Sequence, residues 1–436
     1  MKIRDVYITD YIRTPFSRSR PREPPRDVLG NLRPDELTAL TINEMFDNRL
    51  KGKLTPEDVD EFYIGATHFN FEYVTFGGRY PLFLSKFPAK VSSVALDRQC
   101  GSGMTCASIG FDNIALGYSD VVIASGKNNA TMSRNPKRAS TVRETPPAMR
   151  RGHELFVDDV VDFRCSYSML QTAQKLSEMN AGIFTKEDND RFSVRSHNLA
   201  GKAQEEGFFK GEIVPIMAHA EGDEDTPLLI EHDTSVRKNA TYEGTKDLRA
   251  LSKPGWDGGY YRPLMTKEEY VKEFGTEQGL VTAGNSCPTN AGAATLLLMS
   301  EDAMKKHDLD PLARIVSVGY GAVDPTVMGR GPVPASWMAL KHAGLTTDDI
   351  AFWEINEAFA IVGLNWVHEM GLDDRLDDVN VKGGGIALGH PIAATGPRIV
   401  GSLARILKEK KAKYGLATMC CGGGQGTAMI IENTDV

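Results

Sequence analysis

Four short segments hold side chains able to do covalent or proton-transfer chemistry: QCGSG at Cys100, INEAF at Asn356, GGGIALGHP at His390 and MCCGGG at Cys420. Cys100 precedes a helix-like run, MTCASIGFDNIALG. A thiol at a helix N-terminus has its thiolate stabilised by the helix dipole and by free backbone N–H groups. That suits a nucleophile, and also an oxyanion formed beside it. A cysteine flanked by glycine serves equally as a small packed residue. His390 is the one histidine of nine in a glycine-rich loop, and Pro391 follows it. Asn356 stands at the predicted end of a strand, where α/β sheets place active sites; an Asn-Glu pair there also caps a helix. Cys420 and Cys421 lie directly ahead of three glycines. Adjacent cysteines are poorly placed to bridge each other, and a glycine run costs backbone entropy. The run is therefore either a surface turn or backbone kept bare for a closely approaching molecule.

Such segments need elements to hold them, and the chain supplies two similar sets. LTPEDVDEFYIG (54–65) and LTTDDIAFWEIN (345–356) share a pattern at a constant offset of 291 residues. Each opens with Leu-Thr, and the Thr suits an N-cap before acidic first-turn residues. Each then runs into an apolar, β-prone stretch. After the first copy come the QCGSG loop, a helix-like run to Gly117 and a strand candidate, DVVIASG (120–126). After the second come KGGGIALGH, a helix-like run over 391–410 and another strand candidate, GLATMCC (415–421). The starts correspond as well, with VYITDYIRTPF matched by ARIVSVGYGAV. The pattern predicts a duplicated α/β fold with mostly parallel sheets.

An insertion, about 127–275, separates the halves. Its opening stretch, 127–151, holds seven Lys/Arg and one acidic residue, as a solvated surface or a phosphate-contacting loop. Helices are expected over 167–180 and 185–207, the second capped by Thr185 and Asp188. LSKPGWDGGYYRPL (251–264) reads as loop. The first half resumes in TAGNSCPTNAGAATLLLMS (282–300), a loop followed by a strand. The expected division is an N-terminal half of 1–126 plus 276–308, an inserted loop domain of 127–275 and a C-terminal half of 309–436.

Composition narrows the function classes. Hydrophobic residues make up 41% and charged residues 25%, as in ordinary soluble globular proteins. The net charge of −8 argues against general nucleic-acid binding. MKIRDVYITDYIRTPF lacks the apolar core of a signal peptide, and no apolar run approaches the length of a bilayer span. The ending ENTDV carries no lipidation or peroxisomal signal. The cysteines, Cys100, Cys106, Cys165, Cys287, Cys420 and Cys421, show neither C-x-x-C spacing nor His partners at metal-ligand spacing. Zinc, other metals and disulfide frameworks are not expected, and a reducing, cytoplasmic compartment is.

Read in order, LDRQCGSGM, GNSCPTNAGAA, MGRGPVPA, INEAFA, NVKGGGIALGHPIAATGPR and GLATMCCGGGQG resemble the motif series of the thiolase family. The resemblance extends from RTPF at 13–16 to the final glycines. It implies a five-layer αβαβα core of two similar halves with an inserted loop domain. It also implies ping-pong acyl transfer: CoA-dependent thiolysis of a 3-oxoacyl-CoA to acetyl-CoA and a shortened acyl-CoA, as in β-oxidation, or the reverse Claisen condensation. Cys100 matches the nucleophile that becomes a thioester. His390 matches the residue that lowers the nucleophile's pKa and helps bind the thioester oxygen. Cys420 matches the acid/base, and Asn356 the residue that holds a water in the enolate's oxyanion hole. A second oxyanion hole is implied from the backbone N–H groups of Cys100 and Gly422. Coenzyme A enters as a substrate and not as a resident cofactor. Arg237 matches an arginine near its adenine nucleotide, Ser286 and Cys287 fall along the pantetheine arm, and Met169 and Phe359 border the pantetheine and acyl pocket. Family members are homodimers or homotetramers, and a further partner subunit is left open.

The chain also departs from the pattern. GNSCPTNAG replaces G-N-x-S-G-x-N-D-G, so a thiol, Cys287, stands where a hydroxyl usually contacts pantetheine. MLQTAQK replaces M-G-x-T-x-E after Met169, and Ser168 stands where short-chain biosynthetic members often carry histidine. Asn356 argues against the H-E-A-F subclass. Trp256, Tyr260 and Tyr261, in a stretch without a common counterpart, either line an acyl pocket or pack the loop. A ketoacyl synthase is the nearest enzymatic rival, and Cys420 argues against it. The altered 284–292 segment motivates a second alternative, a non-catalytic acyl-CoA- or lipid-binding relative.

Overall fold

Thr55 and Thr346 begin the two halves' matching turns in the same way. The Thr55 N–H donates to Asp58 Oδ2 at 3.0 Å, and the Thr346 N–H to Asp349 Oδ2 at 2.8 Å. Both close a capping box around a single helical turn that delivers the chain into a strand. The computed structural model that shows this describes residues 3–67, 76–133, 163–166 and 168–436.

The first half contains β1 (Val6–Arg13), β2 (Ser17–Arg18), helix α1 (Pro34–Glu44), β3 (Glu61–Gly65), β4 (Ser92–Leu96), helix α2 (Ser102–Ala115) and β5 (Val121–Asn129). Then follow helices α3 (Met169–Met179) and α4 (Lys186–Glu205), the hairpin β6 (Ile216–Ala220) and β7 (Asp223–Ile230), and β8 (Asn290–Ser300). The last third holds β9 (Ala313–Ala322), α5 (Pro332–Ala343), β10 (Ile350–Ile355), α6 (Ala360–Glu369), α7 (Thr395–Lys410), β11 (Tyr414–Cys421) and β12 (Gln425–Glu432). As expected, Thr185 caps α4, receiving the Asp188 N–H.

Strand pairing displays the duplication. In the first half β1 and β5 flank β8 antiparallel, and β5, β3 and β4 run parallel. In the second, β9 and β11 flank β12 antiparallel, and β11 runs parallel to β10. A lone parallel bridge between Trp353 and Val379 stands where β4 stands in the first half. Residues Val6–Ile8 pair with Ala313–Ile315, so the two sheets join edge to edge through three residues. The sheets are thus mixed, which corrects the expectation of mostly parallel strands. β8 is buried along its whole length, and a strand apolar on both faces carries no mark of its direction.

Three apolar clusters separate five layers. Met104, Ala107 and Ile114 of α2 and Ile399, Leu403 and Leu407 of α7 meet Leu296 and Leu298 of one sheet and Met419 and Met429 of the other. Leu297 and Met299, the alternate residues of β8, turn outward to Ile42 and Met45. Leu416 and Ile430 likewise face Ala335, Leu340, Ile361 and Trp366. The central helices meet where a Cβ on Gly103 would stand 2.2 Å from Ala393 O, and one on Gly396 2.4 Å from Met104 N. Only bare backbone fits there, and this close approach brings the N-termini of α2 and α7 together.

β5 continues three residues past the expected boundary at 126. Lys127, assigned from sequence to a basic surface run, is fully buried and paired with Asp35. Its charge is matched inside the fold, so polarity alone misplaced the strand end. Most of the remaining run, 134–151, lies outside the described residues. Among the described residues no helix is long and apolar enough to cross a membrane.

Candidate active site

Cys100 sits at the turn between β4 and α2, one residue before the helix N-cap, Gly101. Ser102 Oγ locks the turn, accepting the Arg98 N–H at 2.8 Å and donating to Gln99 O at 2.6 Å. Gln99 has φ +49°, a left-handed conformation that disfavours a side chain with a Cβ. Gly422 is buried over the same turn, where a Cβ would stand 3.2 Å from Gln99 Cγ.

Cys420 reaches the turn from the end of β11 and is fully buried. Burial above all, then the neighbouring thiols of Cys100, Cys421 and Cys287, push its pKa well above the ordinary thiol value. At neutral pH it is therefore a protonated acid. Cys421 is also fully buried and pushed up by burial and by Cys100. A Cβ on Gly101 would lie 2.4 Å from Cys421 Sγ, which places this second thiol in the packing beneath the nucleophile turn.

Asn356 follows β10 and is anchored to the neighbouring strand by its N–H, 3.0 Å from Thr418 O. Its side chain is buried, with Nδ2 3.5 Å from His390 Nε2 and Oδ1 without a hydrogen-bond partner among the described residues. The other His390 nitrogen, Nδ1, is 2.7 Å from Thr395 Oγ1 at the start of α7. The His390 backbone N–H donates to Asn290 Oδ1 at 2.8 Å, and Asn290 Nδ2 donates onward to Ser17 O and Ser235 Oγ. Cys100, Asn356, His390, Cys420 and Gly422, predicted from sequence as one site, thus come from both halves to the junction of α2, α7, β10 and β11.

Ser286 bridges Phe359, and the Cys287 N–H donates to Ala358 O at 3.0 Å, so the GNSC segment lies along the Asn356-bearing segment. Met169 and Phe359 both pack on the outer apolar cluster of the second half.

Residues 6–256 match the family profile described as thiolase, N-terminal domain, and residues 309–433 match thiolase, C-terminal domain. The chain belongs to the thiolase family. The 3-ketoacyl-CoA thiolase of Chromohalobacter salexigens is 34% identical over 431 residues, covering 98% of each chain. The Beta-ketoadipyl-CoA thiolase of Pseudomonas putida is 33% identical over 442 residues, covering 99% of this chain and 100% of the relative. Human mitochondrial 3-ketoacyl-CoA thiolase, solved in complex with CoA, superposes with a TM-score of 0.78 at 28% identity. That match covers 99% of this chain and 98% of the human one.

In this thiolase-family chain Arg237 is exposed and lies near Arg18, whose pKa is lowered by burial and by the charges of Arg20 and Arg237. Tyr261 is buried and donates to Glu178 Oε1 at 2.7 Å, and Trp256 packs edge-on against Tyr270. Those two aromatics pack the loop, whereas Tyr260 is 52% exposed.

Sequence reasoning missed the residues of α4. Asp190 Oδ1 accepts from Asn285 Nδ2 at 2.9 Å, Ser196 reaches Glu357 at 2.6 Å, and His197 Nδ1 accepts the Arg237 N–H at 3.1 Å. Burial first, then Arg237, hold the His197 pKa down, from 6.5 to about 4. Its imidazole is neutral in the fold, while an unfolded chain protonates below about pH 6.5. Stability conferred by neutral His197 is therefore present above that pH and lost as pH falls toward about 4, by up to about 3 kcal/mol. In thermal melts between about pH 7 and 4.5, His197→Gln is expected to show a shallower loss of Tm than wild type. Identical slopes would refute the assignment.

Proposed function

We propose that the protein is an acyltransferase that cleaves 3-oxoacyl-CoA with CoA, releasing acetyl-CoA and a shortened acyl-CoA through an acyl-cysteine intermediate. The observation that carries this reading is the meeting of two thiols, Cys100 from the first half and Cys420 from the second, next to the Asn356–His390 pair. Cys100, as the thiolate that a helix N-terminus favours, attacks the 3-oxo carbon and the carbonyl π pair moves onto oxygen; as the carbonyl re-forms, the bond between that carbon and the α-carbon breaks. The electron pair passes to the acetyl-CoA enolate. Protonated Cys420 then delivers its proton to the α-carbon, and the resulting thiolate takes up the proton of the incoming CoA thiol. That thiol attacks the thioester and releases Cys100. A thiol is both a good nucleophile and a good leaving group, as a reversible transfer requires. The second thiol exchanges protons with partners near its own pKa.

Asn356 Nδ2 and His390 Nε2 approach to 3.5 Å. With the Thr395 hydroxyl donating to Nδ1, the ring proton lies on Nε2. Nε2 is then a direct donor to the developing oxyanion, and Asn356 holds the water that supplies the second donor. The Cys100 and Gly422 N–H groups serve the thioester oxygen. CoA lies against the inserted segment, 127–275, with Arg237 toward its adenine nucleotide and Ser286, Cys287, Met169 and Phe359 along its pantetheine and acyl arm. The CoA complex of the human relative supports CoA as substrate. Among the described residues β4 pairs on one side only and exposes Val94, which supports a homodimer formed across that edge. Six cysteines without the spacing of a disulfide framework support a reducing, cytoplasmic setting.

The test is intact-protein mass spectrometry after mixing with 3-oxoacyl-CoAs. A mass increase of one acyl group on wild type, mapped to Cys100 and missing from Cys100→Ser, is the expected result. Tight acyl-CoA binding with no adduct from any substrate would replace this reading with that of a non-catalytic binding protein.

A further inference from the structure

Glu357 follows Asn356 in the chain and is fully buried, yet the reaction described above gives it no task. Its carboxylate receives three donors. Ser196 Oγ on α4 donates to Oε2 at 2.6 Å, the Ile386 N–H donates to the same oxygen at 3.2 Å, and Asn380 Nδ2 donates to Oε1 at 2.8 Å. Ser196 Oγ also accepts the Gly384 N–H at 3.1 Å. The carboxylate and the hydroxyl together grip two amides of the loop that leads to His390.

The three consecutive glycines of that loop are shaped to the same grip. A Cβ on Gly383 would stand 2.6 Å from Ala200 Cβ and Ser196 O of α4. One on Gly384 would lie 2.3 Å from the Glu357 carboxyl carbon, and one on Gly385 2.8 Å from Asn356 Oδ1. The loop is thus pressed between α4, Glu357 and Asn356 at one end, and fixed at the other by the His390–Asn290 hydrogen bond.

We infer that Glu357, held by Ser196, Asn380 and the Ile386 amide, is a positioning residue that sets the spacing between Asn356 and His390. It acts through the loop and not on substrate. The inference rests on the proposed role of those two side chains in the oxyanion hole, whose effect depends on placement within a fraction of an ångström. A carboxylate is needed because every partner is a donor. Asn380 cannot turn its amide to help, since Oδ1 accepts the Ile355 N–H and Nδ2 donates to Ile355 O. An isosteric glutamine must therefore set an N–H against one of the donors.

Steady-state thiolysis by Glu357→Gln, Ser196→Ala and the double variant tests this, with wild type assayed in parallel. Each single variant is expected to lower kcat about 10- to 100-fold, with KM for CoA and for the thioester within about twofold of wild type. Because both act through one grip, the double variant should be no worse than Glu357→Gln. If Glu357→Gln does not fold, Ser196→Ala, which removes a single hydroxyl, decides alone. Unchanged kcat in Ser196→Ala would overturn the inference, as would losses that multiply in the double variant while KM rises with them. A wild type that neither turns over nor acylates Cys100 would instead overturn the proposed function.

Discussion

Cys420→Ser is expected to lower kcat by about 10³-fold while Cys100 still accumulates an acyl group on long incubation with substrate. The size follows from what general acid–base catalysis contributes, about 10²- to 10⁴-fold. The direction follows from the site. Burial and the adjacent thiols already hold the Cys420 proton tightly, and a serine hydroxyl in the same place would hold it far more tightly. Serine could neither accept a proton from the incoming CoA thiol nor return one to the enolate carbon at a useful rate. The attack of Cys100 itself needs no proton from position 420. Thiolysis assayed beside intact-mass measurement separates the two functions. A loss of less than about tenfold would remove Cys420 from the acid–base role.

Arg13→Met is expected to cost about 3–5 kcal/mol of stability, the range for breaking a buried ion pair from one side. Arg13 is fully buried in β1, with Nε 2.7 Å from Glu212 Oε1 and its two Nη atoms 2.7 and 2.9 Å from the Asp233 oxygens. Its guanidinium also stacks near Phe16 and Phe209. Glu212 would keep Arg405 and Ser402 as partners. Among the described residues Asp233 would retain the neutral Phe16 N–H and no cation. Calorimetry should therefore show Tm lowered by roughly 3–5 °C. Arg13→Met combined with Asp233→Leu should recover part of the loss, because an apolar pair replaces a buried ion pair more easily than one orphaned charge survives. A double variant no more stable than Arg13→Met would disprove that account.

The sequence is legible where chemistry and local geometry coincide. Thr55, Thr346 and Thr185 cap turns because a hydroxyl followed three residues later by a carboxylate closes a local ring, and no distant residue is needed. The Cys100, Asn356, His390 and Cys420 segments could be picked out because reactive side chains stand in unusual loop composition. Their convergence could be anticipated from the repeat and the family resemblance. Strand direction could not, since β8 and β12 are apolar on both faces. Nor could Lys127, whose burial depends on Asp35, far away in sequence. The same holds for Arg13, whose acidic partners lie 199 and 220 residues further on. Asp190, Ser196 and His197 were hidden for a related reason. Polar residues on a helix normally face water, and only the folded chain shows three of them turned inward to three different loops.

β12 lies between β9 and β11, hydrogen-bonded to both along most of its length. It therefore fastens the strand that carries Cys420 to the rest of its sheet. During translation the first half can collapse with the Cys100 turn in place, whereas the strand of the second thiol has only β10 to hold it until β12 inserts on its other side. A nascent or clipped chain ending before residue 425 would thus carry a nucleophile without its acid. Such a chain is expected to behave as Cys420→Ser does, taking up an acyl group slowly at Cys100 and turning over poorly.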